Sequence, residues 1–255
     1  MSRQRWGWIA GALAVAALAG LGWTGWQRHR AAVVVDHNVE GRGGEQRLRA
    51  VTALRFTGRM DVGRGVQVPF VLEQKLPDKM RLEFTLDGQT AIQCTTGDAG
   101  WKVVPFRGAS EPEPMTPDEL REVADFASPS GLLFDHAARG IRVRVVGRDA
   151  VDGQPADLLA LTLPGGAERR VWVDAQTGLE RKVEATRTLG QRTLRVETTY
   201  ADWQPTPEGL QIARRQETRT EGDPAAHALT IETVQVNPSI DDARFAPPAP
   251  LRGSR

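Results

Sequence analysis

The sequence has few of the residues that disulfides and metal sites require. Only one of its 255 residues is a cysteine and four are histidines. A lone Cys94 excludes an internal disulfide, and no cysteine follows the apolar N-terminal run where a lipid could be attached. No two histidines have the i, i+4 spacing of a helical zinc site. We therefore expect no metal and no cofactor, and we interpret Cys94 as a small core residue.

The sequence also lacks an excess of charge of either sign. Its formal net charge is +1, and acidic and basic residues are interspersed rather than grouped in blocks. A nucleic-acid-binding surface is expected to be a basic patch or stripe. Nucleic acid is therefore not an expected partner.

Catalytic motifs are absent as well. There is no Gly-x-Ser-x-Gly turn and no glycine-rich phosphate loop. Asp135 precedes His136, but a dyad needs a third partner, and we interpret His136 as a solvent-facing loop residue. Carboxylates on different strands could still form a catalytic pair. We predict a protein that is not an enzyme, and loss of an activity on replacing His136 would contradict this prediction.

An uncharged segment of 21 residues, from Trp6 to Trp26, follows Arg3 and Arg5. A signal peptide has a basic start, an apolar run and a small-x-small cleavage site, which Ala17-Leu18-Ala19 would provide. A membrane anchor has about 20 apolar residues with aromatic residues at both ends, as here. Length and flanking tryptophans slightly favour the anchor. With either interpretation of residues 1–30, the basic start predicts that the rest of the chain is exported.

From Leu54 onwards, apolar residues recur with a period of two in short runs separated by Gly, Pro, Asp or Asn. This pattern is typical of an antiparallel sheet. Asp87-Gly88 predicts a two-residue hairpin turn between two of the runs. About 11–12 strands joined by short turns indicate a barrel or strongly curved sheet. The predicted runs include 66–72, 80–86, 89–92, 100–104, 141–149, 156–163, 169–174, 179–188, 193–203, 210–220 and 227–236.

Short helices are predicted beside the sheet. Residues 31–42 are interpreted as a linker, and residues 43–53 as a short helix. Glu111-Pro112-Glu113-Pro114 is predicted to be a loop outside the sheet. Thr116-Pro117-Asp118-Glu119 has the pattern of a capped helix start, and residues 132–134 begin a second helical piece. Such helices pack on a sheet face, as a plug or lid whose apolar residues are Leu120, Val123, Phe126, Leu132 and Leu133.

Aromatic, Met and aliphatic residues of the early strands are expected to form one apolar face. Two interpretations remain open. The face is either a core filled by the helices or the wall of a cavity that holds an acyl chain. Burial of each methylene group contributes about 0.8 kcal/mol, so an acyl chain could be bound by apolar contacts alone. The candidate cavity-lining residues are Phe56, Met60, Phe70, Leu72, Met80, Leu82, Phe84, Ile92 and Trp101.

Three arginines lie in apolar strand patterns. Arg181 and Arg187 share the run of Val183 and Ala185, and Arg214 follows two apolar residues on another run. Arginine stems often lie over apolar surface at sheet ends. The alternative is an arginine near the cavity mouth that contacts a phosphate or a lipid carbonyl.

Several phrases, taken in order, resemble the LolA/LolB-like superfamily, the periplasmic carriers and sorting factors of outer-membrane lipoproteins. The resemblance covers residues 38–248. The phrases are Gly43-Gly44-x-x-x-Leu48-Arg49-Ala50-Val51, Leu54-Arg55-Phe56-Thr57-Gly58-Arg59-Met60, Val151-Asp152-Gly153-Gln154-Pro155-Ala156, Val171-Trp172-Val173-Asp174-Ala175-Gln176-Thr177-Gly178-Leu179, Tyr200-x-Asp202-Trp203-x-Pro205 with Gly209-Leu210, and Asp241-Asp242-Ala243-Arg244-Phe245-x-x-Pro248.

The resemblance implies an incomplete antiparallel β-barrel, a half-shell with helices over its apolar concave side, in residues 43–248. A disordered tail, 249–255, would follow it, and a hydrophobic helix would precede it. It implies a carrier for lipid or lipoprotein acyl chains in the bacterial periplasm, released after signal cleavage or held in the inner membrane by residues 6–26. The sequence departs from the soluble carriers if the anchor is retained, and from the lipidated acceptors because it lacks their cysteine. The alternative is an envelope sensor or interaction module of the same fold that binds a protein partner.

Overall fold

One antiparallel sheet of thirteen strands makes up most of the described chain. The computed structural model describes residues 29–63, 65–124, 131–189 and 192–248. The mainly β prediction is confirmed, with more strands than the eleven or twelve expected. The strands are β1 (Ala53–Asp61), β2 (Gln67–Lys75), β3 (Lys79–Leu86), β4 (Gln89–Thr96), β5 (Ala99–Val104), β6 (Ala109–Pro114), β7 (Arg142–Val151), β8 (Gln154–Thr162), β9 (Glu168–Asp174), β10 (Glu180–Leu189), β11 (Arg192–Pro205), β12 (Gln211–Thr220) and β13 (Ala226–Val236).

The strand order shows two meanders joined in the middle. Strands β1 to β6 form one meander, β7 to β13 form the other, and β1 pairs with β13. Strands β6 and β7 lie at the two edges, so the sheet is open and fits a half-barrel. The hairpin predicted at Asp87-Gly88 is confirmed, because both residues have the positive φ that a two-residue turn needs and Leu86 pairs with Gln89.

Strand β6 contains the proline-rich segment that was predicted to lie outside the sheet. That prediction was wrong, because Pro114 is paired with Trp101 and Glu113 with Lys102 of β5. Proline cannot donate a ladder hydrogen bond, but an edge strand has one side that needs none. Strand β6 is such an edge, so its two prolines are tolerated.

Three α-helices occur in the described residues: α1 (29–41), α2 (Glu45–Arg49) and α3 (Pro117–Ala124). The linker predicted for residues 31–42 is therefore wrong. Ala31, Val34, Val35 and Asn38 are all buried, and their spacing is that of one helix face. Asn38 Nδ2 donates a hydrogen bond of 2.8 Å to Gly178 O, which ties α1 to the second meander.

The two faces of the sheet bury different parts of the chain. We call the face that carries Phe70 and Leu72 the inner face. Helices α2 and α3 pack on its first half, and α1 packs on the strands β7 to β9. The outer face is covered locally by the C-terminal residues Ile240 and Phe245, which pack with the buried Cys94.

Residues 131–140 form a series of turns, so the second helical piece predicted at 132–134 is not a helix. Asp135 has φ of 51°, which interrupts any helix there. The predicted apolar helix and its flanks in residues 1–28, and the tail 249–255, lie outside the described residues. No helix in the described ranges has the length and apolar character needed to cross a bilayer.

Candidate functional site

A cavity of about 160 Å³ lies on the inner face, where strands of both meanders meet residues 131–133. This volume is close to the roughly 150 Å³ of an apolar cavity that accommodates benzene. It is below the roughly 300 Å³ at which ordinary ligand sites begin. The cavity is lined by Arg42, Phe56, Phe70, Leu72, Gln74, Gly131, Leu132, Leu133, Val171, Glu180, Val183, Ala185, Arg187, Val196, Thr198, Tyr200, Trp203, Ile212, Ala213, Gln216, Thr218, Leu229 and Ile231.

The apolar wall of the cavity comes from both meanders. Phe70 and Leu72 of β2 lie on one side, and Val171 and Val183 of β9 and β10 lie on the other. Val183 is paired with Val171, so these two side chains share the inner face. Along β10 the lining extends from Glu180 through Val183 and Ala185 to Arg187.

A polar strip crosses the cavity on β11 and β12. Thr198 and Thr218 are directly paired, and their hydroxyl oxygens lie 3.0 Å apart. Tyr200 and Gln216 form the next inner-face pair along the same two strands. These four residues were not among the predicted cavity-lining residues. In the sequence they appear as polar residues at alternate positions of two neighbouring strands, a pattern that is also typical of a solvent-exposed face.

A buried ion pair lies at one end of the cavity. Arg42 Nη1 donates to Glu180 Oε1 at 2.9 Å, and the two side chains are 10% and 8% exposed. The Arg42 guanidinium lies 5.5 Å from the ring centroid of Trp203, a cation–π contact. Trp203 Nε1 in turn donates to Glu180 O at 3.2 Å. The three residues therefore connect the end of α1 to β10 and β11.

Residues 131–133 cover the cavity, and we call them the cover segment. Leu132 and Leu133, predicted lid residues, line the cavity, and Leu133 is fully buried. Arg49 of α2 binds both carboxylate oxygens of Asp135 at 2.8 Å and lies over the Phe134 ring. Hydrogen bonds to Glu45 and, second, to Asp135 raise the pKa of Arg49.

His136 does not form a dyad with Asp135. Its Nδ1 is 3.0 Å from the carbonyl oxygen of Ile141, while Asp135 is bound by Arg49. Across the described ranges no group of three or more His, Cys, Asp or Glu side chains could hold a metal ion.

Of the nine predicted cavity-lining residues, Phe56, Phe70 and Leu72 line the cavity. Four others pack on the same inner-face cluster without reaching the cavity: Met60, Met80, Leu82 and Phe84. They continue the apolar surface from the cavity towards α3.

Ile92 and Trp101 lie on the outer face, so the prediction of one continuous face was wrong for them. Ile92 is paired with Glu83, and Trp101 with Cys94. The Asp87-Gly88 turn sets this register, because it pairs Phe84 with Ala91 and turns the next residue to the other side. Trp101 instead packs with Phe245, whose carbonyl oxygen accepts its Nε1 hydrogen bond at 2.9 Å.

Helix α3 has the predicted capping box. Thr116 Oγ1 accepts from the Glu119 amide, and Glu119 Oε2 accepts from the Thr116 amide. Glu119 also pairs with Lys102 of β5. Burial opposes ionisation of Glu119, but the hydrogen bonds from Lys102 and Thr116 outweigh it and lower the pKa of this carboxyl. Leu120 and Val123 pack on the inner-face cluster, whereas Phe126 lies outside the described residues.

The three arginines in apolar patterns have different positions. Arg187 lines the cavity. Arg181 pairs with Asp174 at 2.5 Å, since a β-bulge separates Glu180 from Lys182 and shifts the pattern there. Arg214 Nη1 donates to Glu232 O at 3.5 Å, away from the cavity.

No protein-family model matches the sequence, and no curated protein matches it. Solved structures do match. A DUF1329 family protein from Desulfovibrio piger superposes with a TM-score of 0.59 at 13% identity, covering 85% of this chain and 97% of that one.

A LolA superfamily protein from Nitrosomonas europaea has the same TM-score of 0.59 at 12% identity, with 85% and 97% of the two chains covered. A putative outer membrane lipoprotein-sorting protein domain from Vibrio parahaemolyticus has a TM-score of 0.57 at 11% identity, with 83% and 95% covered. The chain has a LolA-like fold. In this LolA-like sheet the cavity lies on the inner face, beneath the cover segment.

Proposed function

We propose that this protein is a carrier in the bacterial periplasm that binds lipid or lipoprotein acyl chains. The observation that supports the proposal is the cavity with an apolar wall on the inner face of a LolA-like sheet. Its residues Phe56, Phe70 and Leu72 would contact the chain, and Leu132 and Leu133 would cover it. A basic start followed by an uncharged segment at residues 6–26 supports export, as a cleaved signal or an inner-membrane anchor.

The cavity volume sets the size of the bound group. A space that accommodates benzene holds about six carbon atoms, and at about 0.8 kcal/mol per methylene this group contributes about 5 kcal/mol. This corresponds to an affinity between millimolar and micromolar. A longer chain would need the cover segment to move, which would extend the cavity towards Met60, Met80, Leu82 and Phe84, the neighbouring apolar residues.

The experiment is native mass spectrometry of the purified full-length chain, combined with solvent extraction and analysis of any bound lipid. We expect a lipid adduct that is lost in Ala185→Leu, a variant that narrows the cavity from β10, and retained in Ala91→Leu. Ala91 is buried on the same face but does not line the cavity. If the unmodified chain carries no lipid and binds no fluorescent fatty acid, the carrier proposal fails.

The small volume of the cavity supports one alternative. At about 160 Å³ it is below the usual range of ligand sites, as expected for an envelope sensor or interaction module that binds a protein partner. Affinity purification from membranes distinguishes the two. One stoichiometric protein partner together with an empty cavity would favour the module over the carrier.

A further inference from the structure

Glu180 has a carboxylate oxygen that no described residue binds. Its side chain is 8% exposed and lines the cavity at the end where Arg42 lies. Oε1 accepts the hydrogen bond of Arg42, whereas the buried Oε2 has no hydrogen-bond partner among the residues that the structure describes. A buried acceptor of this kind costs free energy unless a donor reaches it.

We infer that Glu180 Oε2 accepts a hydrogen bond from a neutral N–H or O–H group of the ligand, so that the cavity prefers an apolar chain that ends in an amide or a hydroxyl over one that ends in an ester. The inference rests on the proposed carrier function and specifies its ligand class. It follows from an acceptor at one end of a cavity that is lined by apolar residues on β2, β9 and β10.

The charge of the site explains why the donor is neutral. Arg42 already compensates the charge of Glu180, so a bound ammonium group would leave one uncompensated positive charge in a buried site. A carboxylate ligand would bring two negative charges together beside one guanidinium. A neutral donor leaves the ion pair balanced and satisfies the remaining oxygen.

The surroundings of Glu180 direct the rest of the ligand along β10. Val183 and Ala185 lie on the same strand further along the cavity, and Val171 lies beside Val183 on β9. From Glu180 to Arg187 the strand spans roughly 23 Å at about 3.3 Å per residue. The donor would therefore lie at the ion pair and the hydrocarbon chain over these apolar residues.

The cover segment limits access to this end of the cavity. A Cβ atom on Gly131 would collide with Arg42 Nη1 and lie 3.0 Å from Glu180 Oε1. Gly131 also has φ of +74°, which favours glycine. The ion pair is therefore in contact with the first residue of the cover segment, and a ligand that bonds Glu180 Oε2 lies beneath that residue.

The test compares octanamide with methyl octanoate, which have similar chains but differ in the N–H donor. Their dissociation constants for the full-length chain are measured by ligand-detected NMR. We expect octanamide to bind about tenfold more tightly, which is the lower range for a hydrogen bond to a charged group. Equal affinities of the two probes would overturn the inference and leave the carrier function standing.

The matched variants are Glu180→Gln and Glu73→Gln. Glu73 is also buried and ion-paired, at 2% exposure, but it binds Arg55 and Arg244 on the outer face. In Glu180→Gln the side-chain carbonyl can face Arg42 and place an NH2 donor at the former Oε2, so the preference for the amide should disappear. Glu73→Gln should retain it.

An unchanged tenfold preference in Glu180→Gln would overturn the inference, since another group would then select the donor. If neither probe binds the unmodified chain, both the inference and the carrier function fail. Circular dichroism would show whether Glu180→Gln folds. If it does not, the ratio of the two affinities in the unmodified chain is by itself a test of the inference.

Discussion

Replacing Ala185 with leucine tests whether the cavity is a real void in the folded protein. Ala185 is buried and lines the cavity from β10. The substitution adds three carbon atoms to a site of about 160 Å³. At about 0.8 kcal/mol per buried methylene, filling this space could stabilise the fold by up to about 2.4 kcal/mol.

The same substitution at Ala91 is the control. Ala91 is fully buried on the inner face opposite Phe84 and does not line the cavity. Additional carbon atoms in a packed core cost about 1–3 kcal/mol, because neighbouring side chains leave their preferred rotamers. The two variants are therefore expected to change the free energy of unfolding in opposite directions.

Urea unfolding followed by circular dichroism gives both free energies, and thermal unfolding gives the melting temperatures. For a domain of this size 1 kcal/mol corresponds to about 2–4 °C, so Ala185→Leu should raise the melting temperature by up to about 5–10 °C. If Ala185→Leu destabilises the fold as much as Ala91→Leu, there is no void. If it is stable but binds lipid as well as the unmodified chain, the cavity is not the lipid site.

Three further predictions concern Cys94, Glu119 and Phe245, which pack on the outer face of the sheet or stabilise helix α3. Burial raises the pKa of Cys94 to about 11 from 9.0, so the folded chain should have about 100-fold less thiolate and react with a disulfide reagent at pH 8 only after unfolding in urea. Glu119→Gln keeps the capping box but loses the ion pair with Lys102, which should cost up to about 1 kcal/mol at pH 7. Because the pKa of Glu119 is lowered, its contribution is complete above its ordinary value of 4.5 and is lost as the pH falls below it, so the difference from the unmodified chain should shrink at pH 3.5. Phe245→Ala should cost about 3–5 kcal/mol in urea unfolding, because its ring is buried on the outer face; a cost under 1 kcal/mol would show that the C-terminal residues do not hold that face.

The strands could be predicted from the sequence because each depends on local chemistry. Alternation with a period of two and turns such as Asp87-Gly88 and Asp152-Gly153 locate hairpins within a few residues, and both turns have the expected positive φ values. Strand β6 was missed because Pro112 and Pro114 exclude a central strand but not an edge strand. Whether a strand lies at the edge of a sheet depends on the tertiary structure and cannot be read from the local sequence.

The candidate site was only partly predictable. The register set by Asp87-Gly88 implies that Phe84 pairs with Ala91, so counting from the turn could have placed Ile92 on the opposite face. The Arg42–Glu180 pair could not have been found in this way, because the two residues are 138 positions apart. They meet only when α1 packs against the second meander, and the sequence of residues 31–42 predicts a linker rather than this helix.

The pairing of β1 with β13 has a consequence for how the molecule forms. Phe56 lies opposite Val234, so the central seam of the sheet joins residues almost the whole length of the domain apart. Contacts of such long range slow folding, and a ribosome-bound chain cannot make them before its last strand has been synthesised. For the export proposed here, this arrangement means that the two meanders cannot pair across β1 and β13 until β13 has been synthesised.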